Sequence, residues 1–408
     1  MPRRLLLKVT LVAVATLVTL EVALHLAPGL LPDRYLARFP MHGVEFFHPG
    51  ILERTPVEGL PLPLVVRAHD GPPPHDLVDM GVAPADGARY DRDRIGSVTL
   101  PIDDLGLPNA ARPERADVVL VGDSFGVQMG LEEPPGLGPR LASLSGLTVY
   151  NASVAAIGPL QERWLVENVA LPLTPRTVVW FFYSGNDLTA SFEPYLHRLA
   201  GRTTWAEACA GRRMPRWILP DLVARLLERP AQAPATDPLP GFELLLADGT
   251  RQPVWFNPDS LEQLTWSRAT WEAHPAWAPF QAELRAARDA CRAAGARFLL
   301  VYLPSKCEAL LPHVARDPAL VQRVLRFRDS PTAAGDAEQT LAACLANRTA
   351  LEGLMRDLCA SEEIEFLSAL PLLEAQAARG ELGYLVADTH WSLAGQELVA
   401  EPLAARIE

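Results

Sequence analysis

The side chains that nucleophilic acyl chemistry needs stand far apart in this 408-residue chain, in three short motifs. Ser124 lies in Val121-Gly122-Asp123-Ser124-Phe125-Gly126, just past a short apolar run. A turn at the end of a buried strand can expose a serine hydroxyl together with its own backbone N–H. Near the C-terminus, Ala387-Asp388-Thr389-His390-Trp391 puts a carboxylate two residues before a histidine. On an extended segment both side chains point the same way, so Asp388 can orient Nδ1 of His390 and leave Nε2 for a serine proton. Between them lies Phe181-Phe182-Tyr183-Ser184-Gly185-Asn186-Asp187, where the Asn186 amide can donate to a developing oxyanion. Each motif also has a plain structural reading. Gly-Asn-Asp makes turns, and Asp388 or Ser392 can simply cap the last helix.

The elements that must carry these residues alternate. Apolar runs at 117–121, 147–151, 177–183, 297–303 and 364–367 read as buried strands, and helices are expected at 138–144, 159–169, 279–294, 337–359 and 392–407. Alternation of this kind implies an α/β fold, a doubly wound parallel sheet with helices on both faces. Ser124 and Asn186 would then project from the carboxyl ends of two strands. The pattern breaks between about 190 and 277, where six of the nine tryptophans gather (Trp205, Trp217, Trp255, Trp266, Trp271 and Trp277) around a hairpin signal at Asp248-Gly249. This stretch is expected to be an insertion or lid. Lys306, one of two lysines in the chain, follows the 297–303 strand and is expected at the surface or in a packing contact, with a charge facing the site as the alternative.

Composition narrows the function classes. An apolar fraction of 49% with 21% charged residues is that of a globular protein, and the 38 prolines imply long irregular connections. A net charge of −12 supplies no concentrated basic face, so nucleic acid is not an expected partner. The five cysteines form no Cys-x-x-Cys pair and have no histidine at zinc-ligand spacing, so neither a metal nor a thiol redox site is indicated. Cys344 and Cys359 are expected on one helix, about 22 Å apart and unable to bond each other. No cofactor motif is present.

Arg3, Arg4 and Lys8 precede an apolar stretch, interrupted by Glu21, that Pro28-Gly29 closes. From Leu5 to Ala27 a helix would measure about 35 Å, against a hydrocarbon core of about 30 Å. The pairs Glu21/Ala23 and His25/Ala27 make poor signal-peptidase sites, which favours an uncleaved single-pass anchor with the remainder outside the cytoplasm. A cleaved signal peptide or a buried helix are the alternatives. The expected organisation is an anchor over 1–31, an irregular Pro-rich lead-in over 32–112 and the α/β domain over 113–408.

Gly-Asp-Ser after the first core strand, Gly-Asn-Asp after a later one, and Asp-x-His-Trp before the last helix together resemble the SGNH/GDSL hydrolase superfamily, from about Ala116 to the C-terminus. The N-terminal stretch is similar to its membrane-anchored envelope members, and the Asp-Thr-His-Trp spacing to the alginate O-acetyltransferase-like branch. Many other members place the aspartate one residue further from the histidine. The resemblance implies a flavodoxin-like sheet, Ser124 as nucleophile, His390 as base, Asp388 as its partner, and an oxyanion hole from Ser124 N–H, Asn186 and a residue after Asn151. Where the family has glycine, this chain has Ala156, with Gly158 two residues on. It implies an acyl ester substrate, with a carbohydrate acceptor if the acyl group is transferred, at the periplasmic side of a bacterial cytoplasmic membrane. A non-catalytic glycan-binding envelope protein and a soluble secreted lipase are the alternatives.

Overall fold

The computed structural model describes residue 12 and residues 15–24, 103, 105, 107–127, 136–154, 157–189, 218–220, 241–314, 316–326, 330–386 and 389–408. Five strands form one parallel sheet: β1 (Val118–Val121), β2 (Val149–Asn151), β3 (Thr177–Tyr183), β6 (Arg297–Leu303) and β7 (Glu365–Ser368). Their order is β2-β1-β3-β6-β7. Counting only sheet strands, this is 2-1-3-4-5, the flavodoxin-like arrangement, whose direction of winding reverses between β1 and β3. Strands β4 (Phe242–Leu245) and β5 (Arg251–Val254) pair antiparallel across the Asp248-Gly249 turn.

After Thr177 in β3 and Arg297 in β6, the central strands are apolar at every position because both their faces are covered. In β3, Val178, Trp180 and Phe182 point into one core cluster, while Val179, Phe181 and Tyr183 point into the other. Strand β6 divides in the same way: Leu300 and Tyr302 face one side, Leu299, Val301 and Leu303 the opposite one. A strand buried on one face only would instead alternate apolar with polar residues.

The helices of this domain are α1 (Leu137–Ser145), α2 (Pro159–Leu165), α3 (Pro258–Gln263), α4 (Arg268–Glu272), α5 (Trp277–Ala293), α6 (Lys306–Leu310), α7 (Pro318–Arg326), α8 (Ala337–Asn347), α9 (Ala350–Ser361), α10 (Leu370–Ala378) and α11 (Leu393–Ile407). Helices α2, α5 and α9 line the first cluster, and α1, α6, α7, α8, α10 and α11 line the second. Ser392 caps α11, its hydroxyl accepting from the Gly395 N–H.

The single helix expected over 337–359 is two helices. Leu341 and Cys344 of α8 belong to one core, whereas Leu351, Met355 and Cys359 of α9 belong to the other. One straight helix cannot serve both faces of a sheet, and the chain breaks at Arg348-Thr349. There the Arg348 side chain turns away to Glu374, with an N–O distance of 2.7 Å. Cys344 and Cys359 therefore sit on different helices. Both are buried free thiols, as are Cys291 and Cys307, and burial pushes all four up to about 12.

The hairpin and α3 to α5 make the described part of the insertion a piece of the core. Phe242, Val254 and Phe256 are fully buried, and Trp255, Trp271 and Trp277 nearly so. Trp266 is half-buried, with its ring 4.7 Å from that of Trp271. These four indoles are packing residues; Trp205 and Trp217 lie outside the described residues. Most of the 32–112 lead-in does too, but its end docks on β2, where the Asn109 side chain bonds both the N–H and the carbonyl of Asn151. Residues 15–24 are helical. No helix among the described residues is long and apolar enough to cross a membrane.

Candidate active site

The winding reversal between β1 and β3 opens a crevice at the carboxyl ends of those strands, where ligands of open α/β sheets bind. Ser124 lies in the turn that leaves β1, and Asn186 in the turn that leaves β3. The serine turn is tight. Gly126 N–H and Val127 N–H both donate to the Asp123 carbonyl, at 3.1 and 3.2 Å, and Phe125 N–H donates to Asp123 Oδ1 at 2.9 Å. Asn151 at the end of β2 braces it from the side, its Nδ2 donating to the Gly126 carbonyl at 2.8 Å. Position 126 must be glycine, since a Cβ there would stand 2.1 Å from Ser153 Oγ.

Into this turn reaches the loop that precedes α11. Its neck is closed by a bridge between Tyr384 and Trp391 and by a 2.9 Å bond from Leu385 N–H to the His390 carbonyl. His390 Nε2 lies 2.8 Å from Ser124 Oγ. Both residues are nearly buried, at 7% and 9% exposure, so the pair is shielded and still within reach of a small group. Phe125 joins the two segments: its ring stacks on Tyr183 at 3.8 Å and lies 4.8 Å from the His390 ring, and its carbonyl accepts the Trp391 indole N–H at 3.1 Å.

Asp388 and Ala156, the expected partner of His390 and the expected second oxyanion donor, lie outside the described residues. Gly158, the fallback donor, is the N-cap of α2, and its N–H is engaged by Gln161 Oε1 at 3.4 Å. Asn186 is half-buried, and its amide favours the charged form of the neighbouring Asp123 carboxyl. Lys306 departs from its expected surface position and is 2% exposed.

Sequence reasoning passed over Asp123, Glu162 and Asp187. Three fully buried carboxyls sit behind the serine turn, within one another's electrostatic reach. Burial pushes Asp123 up, opposed by the Phe125 N–H, the positive charge His390 can carry, and the Asn186 amide. Burial, then repulsion from Asp123, pushes Glu162 well above the usual carboxylate range. Asp187 is driven up by burial and by both neighbours, although the Tyr183 N–H at 2.7 Å favours its charge. Each of the three opposes the ionisation of the others, and burial together with this repulsion favours the protonated forms of Glu162 and Asp187 most strongly. The available signal was the residue type itself, an acid in a strand-end turn or on the covered side of a short helix.

No protein-family model matches the chain. No curated protein matches it either. Solved structures with some likeness include a lipase/acylhydrolase from Enterococcus faecalis, 12% identical, TM-score 0.32, over 71% of this chain and 94% of that one. A GDSL-like lipase from Bacteroides thetaiotaomicron is 10% identical, TM-score 0.30, over 72% and 87%. The acetyl xylan esterase AlAXEase is 13% identical, TM-score 0.32, over 71% and 99%. Overlaps this loose do not by themselves fix an activity.

The upward push on Glu162 gives a pH signature. In the unfolded chain it ionises in the ordinary range, so folding loses stability as pH rises towards the raised folded value. Glu162→Gln has no such proton to lose and keeps an acceptor for the Trp180 indole N–H, now 2.6 Å from Glu162 Oε2. The melting temperature of the variant relative to wild type is expected to climb steadily from about pH 5 to about pH 8. A constant difference across that range, measured by calorimetry, would show that Glu162 is ionised in the fold.

Proposed function

We propose that the protein is a serine esterase or O-acyltransferase of the SGNH/GDSL type. The observation that carries this reading is the 2.8 Å contact between Ser124 Oγ and His390 Nε2 at the winding reversal of the sheet. Ser124 Oγ attacks the ester carbonyl carbon while its proton passes to His390 Nε2. The tetrahedral intermediate collapses with cleavage of the acyl C–O bond, and His390 returns the proton to the departing alcohol. An acyl-Ser124 ester remains. Water then attacks it in an esterase, or a sugar hydroxyl in a transferase, with His390 again taking the proton.

In this reading Asp388 holds the imidazole tautomer and Asp123 adds a buried negative charge that favours the imidazolium. The oxyanion is met by the N–H groups of Ser124 and Ala156 and by Asn186, each such donor being worth about 10²–10³ in rate. The acyl group is acetyl and the acceptor an envelope glycan, a reading supported by the Asp-Thr-His-Trp motif. The buried tryptophans of the insertion are not available to stack on that glycan.

We also propose that the N-terminal stretch anchors the chain in a membrane. Of the six large apolar side chains that stand exposed among the described residues, five are here: Val12, Leu17, Val18, Leu20 and Val22. Glu21 does not face outward with them. Its carboxylate is buried and accepts the N–H groups of Ile218 and Leu219, at 2.5 and 2.9 Å.

Two experiments test these readings. Wild-type protein should hydrolyse 4-nitrophenyl acetate, and Ser124→Ala should lower that rate by about 10⁴-fold. Added glycan should divert acetyl to sugar if the enzyme is a transferase. An inert wild type, or an equally active variant, removes the reading. For the anchor, deleting residues 1–31 should move the protein from the carbonate-washed membrane pellet to the supernatant. An unchanged distribution speaks against it.

A further inference from the structure

Lys306 is a buried cation that the acyl-transfer chemistry leaves without a task. It is the first residue of α6, directly after β6, and is 2% exposed, although taking an ammonium out of water is among the costliest burials a protein can make. Its base is rigid. Ser305 and Glu308 form a capping box at the start of α6, and the buried Glu308 carboxylate also accepts from Tyr302 Oη at 2.6 Å and from the Ser184 hydroxyl. Lys306 therefore stands on a knot that ties the ends of β3 and β6 together.

Its Nζ donates to the Val386 carbonyl at 2.6 Å. Val386 is two residues ahead of Asp388 and four ahead of His390, inside the loop whose neck Tyr384 and Trp391 close. The same carbonyl accepts the Trp255 N–H at 3.3 Å, and Tyr384 Oη donates to the Pro304 carbonyl at 2.9 Å. The loop is thus held on two sides. Trp391 fastens it to the serine turn through Phe125, and the β6–α6 junction fastens the opposite limb.

We propose that Lys306 is a positioning residue for the base. By fixing the Val386 carbonyl it holds the loop that ends in His390, and so keeps Nε2 within hydrogen-bond reach of Ser124. The inference rests on the reading of Ser124 and His390 as nucleophile and base. The role is exercised through the main chain of the loop rather than on the serine itself. A lysine suits it because a charge-assisted bond to a carbonyl in a dry interior is short and strong, and one flexible stem can deliver it where a guanidinium fork would need more room.

The test compares wild type with Lys306→Met, which keeps the length of the stem and removes the donor. Cys359→Ala, which opens a cavity in the core on the opposite face of the sheet, controls for lost stability. Melting temperature, kcat and KM for 4-nitrophenyl acetate, and the rate of labelling by a fluorophosphonate are measured on each. Lys306→Met should lose about 10²-fold in kcat and in labelling rate, the cost of a misplacement of about 1 Å, while KM stays within about threefold. Cys359→Ala should keep its kcat even where its melting temperature falls as far. If Lys306→Met does not fold, Lys306→Gln, whose shorter, neutral side chain does not restore the charge-assisted bond to Val386, should fold and show the same split between kcat and KM.

A wild type that reacts, beside a lysine variant with kcat within about threefold of it, overturns the positioning role alone. So does a kcat loss that Cys359→Ala reproduces at equal melting temperature. A wild type that neither turns over the ester nor takes the label overturns the reading of Ser124 and the role of Lys306 with it.

Discussion

A hydrogen bond of 2.8 Å joins Ser124 to His390 across 266 residues of chain, and the architecture around it can be understood as what that contact requires. The serine must leave the sheet where the winding reverses, because only there do neighbouring strand ends open a crevice. The histidine must come back to the same place from the last connection of the domain. Each segment is then pinned independently. Asn151 and the backbone bonds to Asp123 hold the serine turn, while the Tyr384–Trp391 bridge, the Lys306 ammonium and the Trp255 N–H hold the histidine loop. Phe125 adds a second link between them, through its carbonyl and its ring.

Charge burial is the second constraint. Asp123, Glu162, Asp187, Lys306 and Glu308 are all nearly inaccessible, a costly set to remove from water. They divide into two groups with different solutions. Glu308 is satisfied by donors from Ser184, Tyr302 and Ser305, and it knots the ends of two strands. The three acids behind the serine turn lack enough donors, since Asp123 Oδ2, Glu162 Oε1 and Asp187 Oδ1 meet none among the described residues. Burial and mutual repulsion push Glu162 and Asp187 well above the usual carboxylate range, while the charge His390 can carry favours the ionised form of Asp123. The stability of the fold and the electrostatics of the site are therefore coupled through the same side chains.

Much of this was legible in the sequence. Strands β3 and β6 could be bounded to the residue because runs of six apolar residues after Thr177 and Arg297, closed by turn signals, have one physical explanation, burial on both faces of a parallel sheet. The order of the three motifs likewise pointed to Ser124, Asn186 and His390 at one sheet edge. What escaped was whatever depended on tertiary partners. The break between α8 and α9 follows from the need to cover two faces, which local helix propensity does not record. The packing of the insertion's tryptophans depends on neighbours that the local sequence does not show. Lys306 read as a surface residue or a packing contact because nothing in its local sequence shows that a distant carbonyl awaits it. The buried acids were hidden by the general rule that carboxylates stay in water.

The most direct test of the central claim is peptide mass spectrometry after brief exposure of the native protein to a fluorophosphonate. A serine activated by His390 should carry a single phosphonyl adduct, on the peptide containing Ser124, and heat-unfolded protein should carry none. No adduct on the native protein, or one on a different serine, would contradict the account.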